Sequence, residues 1–427
     1  SDYMRSLSIS PSGARVVADF RGEIVTVPAN KGDVKNLTNT AGTHEKFPEW
    51  SPNGKFIAYF SDDYGEYGLH IQNIKTNAIT KISLSGTGFY ANIHWSPDSE
   101  KLCFIDNGRN LYVAEISNKK VVKIAQDDRF VPGDLRELFG SWSHDSNWVA
   151  YTKIIETSFE QAFLYSIEAN KSYAVSDGLS SVSEPIFDPS GKYLYMLAST
   201  DAGPVVNWFD QSNIDMEMNY SIYLVTLQKE VVSPLAKEND VEEIVVAVEE
   251  ESTKGKDKKG KKEKEAKPVL KIDWEGLQQR IISLPIGKGY YYNLQSPTEG
   301  ELYYVASSYH SDKSTLQKFD FKDRASKELF EAGDFQISAN GKKMLYQNKG
   351  AWFVADIGEK AKEAPVNFGA ISVKINPKEE WNNIFNEAWR VNRDYFYDPN
   401  MHGADWNAMK EKYKPFIEYA STKGDVY

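Results

Sequence analysis

The chain has 427 residues, 41% of them hydrophobic, and a formal net charge of -11 at pH 7. That length buries a large core, either one repetitive domain or two ordinary ones, while the negative balance argues against a nucleic-acid partner, since a phosphate-binding surface needs clustered Lys and Arg to displace counterions. No run of 18 or more apolar residues offers a membrane span, and the opening SDYMRSLSIS lacks the basic and apolar regions of a signal peptide.

From the N-terminus onward a tight turn recurs: SPSG at Ser10, SPNG at Ser51, SPDS at Ser96, SHDS at Ser143, DPSG at Asp188, SPTEG at Ser296 and SANG at Ser338. Pro presets φ at the second position, Asn, Asp or Ser bonds back to the local backbone, and Gly supplies positive φ. A short β-prone run such as FPEW or NIHW precedes the turn, and strands such as KFIAYFS and YGLHIQNI follow it. Successive starts lie 41, 45, 47, 45, 108 and 42 residues apart. All but one of these intervals match the ~40–50 residues of a four-stranded propeller blade. The expected fold class is therefore all-β, a seven-bladed β-propeller whose innermost strands are the runs before the turns. Trp50, Trp95 and Trp142, each one position before the turn serine, are read as core wedges between blades.

The long interval is assigned to two insertions in the fifth unit, with a degenerate eighth blade as the alternative. One insertion is TDAGPVVNWFDQSNIDMEMN at 200–219; the other, at about 229–268, holds a Lys- and Glu-rich stretch over about 238–268, in which Lys254 to Lys267 carry eight Lys against three acidic residues. Lacking apolar periodicity, this stretch reads as a solvated, disordered loop or as a docking element for an acidic partner. After Phe368 the period becomes helical. Trp381, Ile384, Phe385, Ala388, Trp389, Asn392 and Tyr395 recur at helical spacing behind Pro377, and Asp405 caps a second helix bearing Trp406, Met409 and Tyr413. The expected domains are a propeller over 1–370 and, over 371–427, the first part of a helical domain inside which the chain stops.

No pattern for catalysis emerges. The six histidines, His44, His70, His94, His144, His310 and His402, form neither HExxH nor another metal-site spacing. A G-x-S-x-G elbow is absent, its nearest approach being GSWSH at Gly140, as are a P-loop and a dinucleotide-binding glycine motif. Cys103, in KLCFID, reads as a buried structural residue, and a single cysteine forms no internal disulfide. Asp62, Asp63 and Glu66 in SDDYGEYGLH have the composition of a cation loop, but Gly65 and Gly68 favour an ordinary solvated turn. NLT at Asn36 matches a glycosylation sequon.

With blades and helices placed, the ordered set SPSGARVVADFRGEIVTVP, FPEWSPNGKFIAYFSDDYGEYGLHI, WSPDSEKLCFIDNGRNLYV, IDWEGLQQRIISLPI and EEWNNIFNEAWRVNRDYFYDPNMHGADWNAMKEKY resembles the tricorn protease family, large serine peptidases that trim oligopeptides. Single propeller pieces are shared with Tol-type and peptidase propellers; the order, ending in the W-x-x-x-F helix and the G-x-D-W stretch, carries the resemblance. In that family a six-bladed propeller precedes a seven-bladed one, a helical subdomain, a PDZ-like domain and a second catalytic subdomain. The resemblance implies that this chain holds the seven-bladed propeller and the start of the helical peptidase subdomain. It implies that the propeller gates the access of unfolded peptides, and that the intact protein is a homo-oligomer, cytoplasmic, or periplasmic if a signal peptide precedes the sequence. The nucleophilic Ser and its His base would lie beyond Tyr427, leaving these residues inactive alone, so no catalytic, cofactor-binding or metal residue is assigned. The alternative is a stand-alone interaction scaffold of the Tol or WD-repeat type.

Overall fold

The computed structural model describes residues 3–130, 135–201, 217–236, 269–308 and 310–426. They form seven antiparallel sheets in chain order, blades 1 to 7, spanning residues 4–36, 45–82, 90–126, 139–174, 181–283, 290–331 and 334–356. The innermost strands are Met4–Ile9, Glu45–Trp50, Tyr90–Trp95, Phe139–Trp142, Ser181–Phe187, Tyr290–Gln295 and Asp334–Ile337, and each is followed by one of the seven repeated turns. The seven-bladed propeller read from the repeats is the fold observed.

The turn works mainly through its serine. The Oγ atoms of Ser10, Ser51, Ser96, Ser143 and Ser338 each accept the N–H of the residue five positions on, at 2.9–3.0 Å. Ser-His-Asp-Ser and Ser-Ala-Asn-Gly therefore lose the proline without losing the turn, because the hydroxyl that closes it remains.

Both faces of a blade are covered by its neighbours, so the middle strands do not alternate: Arg15–Phe20 and Tyr193–Ser199 are almost wholly buried along their length. Seven apolar clusters result, one at each joint between blades. Cys103 sits fully buried in the cluster between blades 3 and 4, where burial pushes its thiol pKa well up, as the sequence suggests.

Most of 200–219 and the Lys- and Glu-rich stretch of 238–268 lie outside the described residues. Even so, strand Ser221–Thr226 pairs directly with Ile281–Ser283, Val225 opposite Ile281. The described part of the 108-residue interval thus belongs to blade 5 and the start of blade 6, and no eighth sheet occurs among the described residues.

No described sheet mixes strands from the two ends of the chain. The ring closes instead through side chains, with Ile9, Val16 and Val27 of blade 1 packed on Leu345 of blade 7 and on Val366, which follows it. Val366 donates its N–H to the Trp352 carbonyl (2.8 Å) and so borders the blade where a fourth strand would run. Beyond it lie helix α1, Pro377–Tyr395, and helix α2, Trp406–Tyr419, the latter capped by Asp405 through the Ala408 N–H (2.9 Å). The two helices are locked by a reciprocal pair: Trp389 Nε1–H donates to the Trp406 carbonyl (2.9 Å) and Trp406 Nε1–H to that of Trp389 (3.1 Å). No described helix is long and apolar enough to cross a membrane.

Candidate functional site: an axial channel beside a docked helix

The inner strands, above all those of blades 4 to 7, line two adjoining cavities, which together make the candidate axial passage. On the face of the repeated turns, a cavity of about 410 Å³ is lined by Pro97, His144, Pro189, Pro297 and Ala339. Toward the opposite face, a cavity of about 760 Å³ is lined by Glu137, Glu160, Glu184, Tyr292, Asp334 and Trp352. Gly140, Ile186, Leu294 and Gln295 belong to both walls and mark the waist where the cavities meet.

An innermost strand has one edge without a β-partner, and its N–H groups need acceptors. Polar clasps between blades supply several of them. Ile9 N–H donates to Gln336 Oε1 (2.7 Å), Ile337 N–H to Gln295 Oε1 (2.9 Å), and the N–H groups of Asn293 and Leu294 to Glu184 (3.0 and 2.7 Å). Phe187 N–H donates to Ser141 Oγ (2.8 Å) and Phe47 N–H to Asp19 Oδ2 (3.3 Å). At the two remaining joints an indole spans the gap, Trp142 Nε1–H to the His94 carbonyl and Trp95 Nε1–H to that of Glu49, both at 3.1 Å. Each of the seven joints thus carries a clasp. The wedge role read for Trp95 and Trp142 is observed, with a hydrogen bond added, whereas Trp50 packs between blades 1 and 2 with its Nε1 buried and unbonded.

Bulges aim side chains into the passage. Register shifts interrupt six of the inner strands, and Glu184 and Asn293 adopt φ of 48° and 56° at two of them. A bulge turns a residue away from the alternation its neighbours follow, which brings Glu184 and Asn293 to the cavity wall. Across the joint between blades 3 and 4, His94 Nε2 lies 3.2 Å from Glu137 Oε2. Surrounding protein disfavours charge on this imidazole, but the bond and charge of Glu137, with the charge of Glu49, outweigh burial and raise its pKa.

Helix α1 docks on the same face as the wide cavity, across the loops of blades 1 to 3. Arg21 grips Glu380 with two bonds (2.8 and 3.0 Å), and Arg393 grips Glu66 likewise (2.7 and 2.8 Å). Between them Arg390, 1% exposed, pairs with Asp62 and with Glu387 (2.6 Å) and donates to the Gly65 carbonyl (2.6 Å). Asp62 also accepts from His44 N–H (2.7 Å) and Asn383 Nδ2 (2.8 Å), and Tyr67 OH donates to Glu387 (2.9 Å). The reading of 62–68 as an ordinary solvated loop holds for the exposed residues 63–66, with Gly65 at positive φ, and is corrected at Asp62, which is 6% exposed and neutralises the arginine of a helix more than 300 residues away.

Three carboxyl groups of this half of the ring respond to burial in opposite ways. Burial raises Glu45 to about 8 and Glu49 to about 7 from an ordinary 4.5. Burial would raise Glu387 too, but bonds from His44 and Arg390 and the charges of Arg390 and Lys46 hold it down at about 2. Glu45 and Glu49 retain protons that the unfolded chain releases near pH 4.5, so their contribution falls as pH climbs from there toward 8. Glu387 contributes above pH 4.5 and loses that contribution as pH drops toward 2. The melting temperature is expected to peak near pH 5 and to fall on both sides in a circular-dichroism series from pH 3 to 9; a steady rise from pH 5 to 8 would contradict these assignments.

The family model described as the tricorn protease second beta propeller domain matches residues 4–358, and that of the tricorn protease C1 domain matches residues 377–427. The chain belongs to the tricorn protease family. Among its tricorn relatives, a putative tricorn-like protease C-terminal subunit from Sulfurisphaera tokodaii is 24% identical over 95% of this chain and 45% of its own length. Tricorn protease homolog 1 from Streptomyces coelicolor is 23% identical over 95% of this chain and 39% of its own. The crystal structure of the tricorn protease superposes on 99% of this chain and 40% of its own, with a TM-score of 0.76 at 16% identity, which speaks to the fold. The chain therefore spans less than half the length of these tricorn proteins.

Within this tricorn chain the six histidines stay apart. His94 bonds Glu137 of the wide cavity's wall, His144 lines the narrow cavity, and His44 lies beneath α1 with Nδ1 2.9 Å from Tyr67 OH. His70 faces Asp63 (3.3 Å), His310 faces Glu217 (2.8 Å) and His402 faces Asp398 (3.3 Å). No group of three metal-ligating residue types converges among the described residues. The channel-wall residues Glu184, Asn293 and Gln295 were missed by sequence reasoning; the signal available was a polar residue inside an inner strand, one to four positions before the turn.

Proposed function

We propose that this chain is the substrate-admitting propeller of a tricorn-like serine peptidase that degrades oligopeptides, and that it carries no catalytic residue itself. The observation supporting this most is the axial passage, whose wide end opens on the face where α1 is docked. A peptide threading from the repeated-turn face would emerge beside the helical segment that continues toward the rest of such a peptidase. The waist would filter by size, admitting an extended peptide and holding back a folded domain. In the whole enzyme a serine oxygen would attack the peptide carbonyl, a histidine would take its proton, and backbone N–H groups would stabilise the oxyanion. These groups would come from outside this chain, and the intact enzyme would work as a homo-oligomer on unfolded peptides.

Purified residues 1–427 are expected neither to hydrolyse a fluorogenic peptide nor to react with a fluorophosphonate serine probe. Turnover accompanied by probe attached to a serine of this chain would overturn the proposal.

A further inference from the structure

Among the described residues, the wall of the wide cavity carries Glu137, Glu160, Glu184 and Asp334 against a single cation, Arg136. That arginine is already committed, its Nη2 to Asp127 (2.5 Å) and its Nη1 to Thr152 (3.0 Å) and, at 3.6 Å, to Glu160. Glu137 faces His94. Glu184 and Asp334 are held differently. Glu184 accepts the backbone N–H groups of Asn293 and Leu294, and Asp334 accepts Asn293 Nδ2 (2.7 Å) and the Phe335 N–H (2.8 Å). All four donors are neutral and favour the charged form of both carboxyl groups, opposing burial and, at Glu184, the charge of Asp334, which raise their pKa values; one residue, Asn293, bridges the pair across the joint of blades 5, 6 and 7. Beside them Tyr292, Phe335 and Trp352 supply apolar wall. Fixed negative charge on a narrow, protein-walled passage focuses potential along its axis.

We propose that Glu184 and Asp334 make the wide cavity selective for cationic peptide segments, through Lys or Arg side chains or a free N-terminal ammonium. The selectivity rests on the channel being a peptide passage. Neutral or acidic stretches would cross without this attraction, so the propeller would enrich basic peptides before any bond is cut.

The test is equilibrium binding to the full 427-residue chain of an unstructured decapeptide with three lysines, and of its Lys→Gln counterpart, each bearing a neutral dye and each with a free or an acetylated N-terminus. At low salt the lysine peptide is expected to bind about 3- to 10-fold tighter, and the preference should shrink in 0.5 M salt. Asp334→Asn, which keeps the oxygen facing Asn293, should reduce the ratio toward 1; Glu184→Gln, which sets an amide NH2 against one of the two N–H groups its carboxylate accepts, should do the same, with its unfolding midpoint measured alongside. A difference between free and acetylated forms of the glutamine peptide assigns part of the selectivity to the ammonium; its absence assigns it to side chains. An unchanged ratio in correctly folded Asp334→Asn protein, or no preference in the parent, would overturn the selectivity and leave the passage standing. If neither peptide bound at all, the passage itself would fall, and the selectivity with it.

Discussion

Replacing Arg390 by methionine is expected to weaken the docking of α1 by about 3–5 kcal/mol and to release both helices from the propeller. Arg390 neutralises Asp62 in a buried site, and removing one partner of such a pair strands the other's charge in protein. His44 N–H and Asn383 would still bond Asp62, but neither carries the missing positive charge. Methionine keeps the helix propensity and much of the volume, so the loss would report charge rather than helix formation. Limited proteolysis between residues 357 and 376 should accelerate, and the fluorescence of Trp381 and Trp389 should shift, at temperatures where the blades stay folded. Arg393→Met is the comparison. Its partner Glu66 has a side chain 57% exposed, and surface pairs contribute about 0–1 kcal/mol. Equal effects from the two substitutions would show that docking does not depend on the buried pair. Adding Asp62→Leu to Arg390→Met should recover part of the loss, since an apolar pair needs no compensation.

Gly140→Ala is expected to be the most damaging single methyl group that can be added to the channel. A Cβ there would run into the Pro185 carbonyl oxygen and lie 2.9 Å from Pro185 Cγ. The clash falls at the joint of blades 4 and 5, next to the bond from Phe187 N–H to Ser141 Oγ. Overpacking of this kind costs about 1–3 kcal/mol, and loss of the clasp adds about 1 kcal/mol. The variant should unfold at lower denaturant concentration and, where folded, bind peptide more weakly because the waist is displaced. Gly287→Ala, with open space around the added carbon, should behave as the parent protein does. Should both variants unfold at the same midpoint, the waist would have to be looser than its geometry indicates.

The blades were legible because their signal is local. One serine hydroxyl caps each of five turns within five residues, and the spacing of those turns is the spacing of the blades. The helices announced themselves through periodicity and through Asp405. The channel wall did not, because Glu184 and Asn293 reach it by bulges at positive φ, which break the alternation that pattern reading relies on. Helix docking was equally hidden. Asp62 and Arg390 are 328 residues apart, and nothing local distinguishes a carboxylate that will be buried under a helix from one that stays in water.

Photocrosslinking tests the channel most directly. An unstructured peptide carrying benzoylphenylalanine, irradiated with the 427-residue chain, is expected to attach to Phe139, Ile186, Leu294 or Phe335 and to lose that attachment in Ile186→Trp protein, where the waist is filled. Crosslinks confined to the outer strands of the blades, or wall crosslinks undiminished by Ile186→Trp, would contradict a passage through the axis.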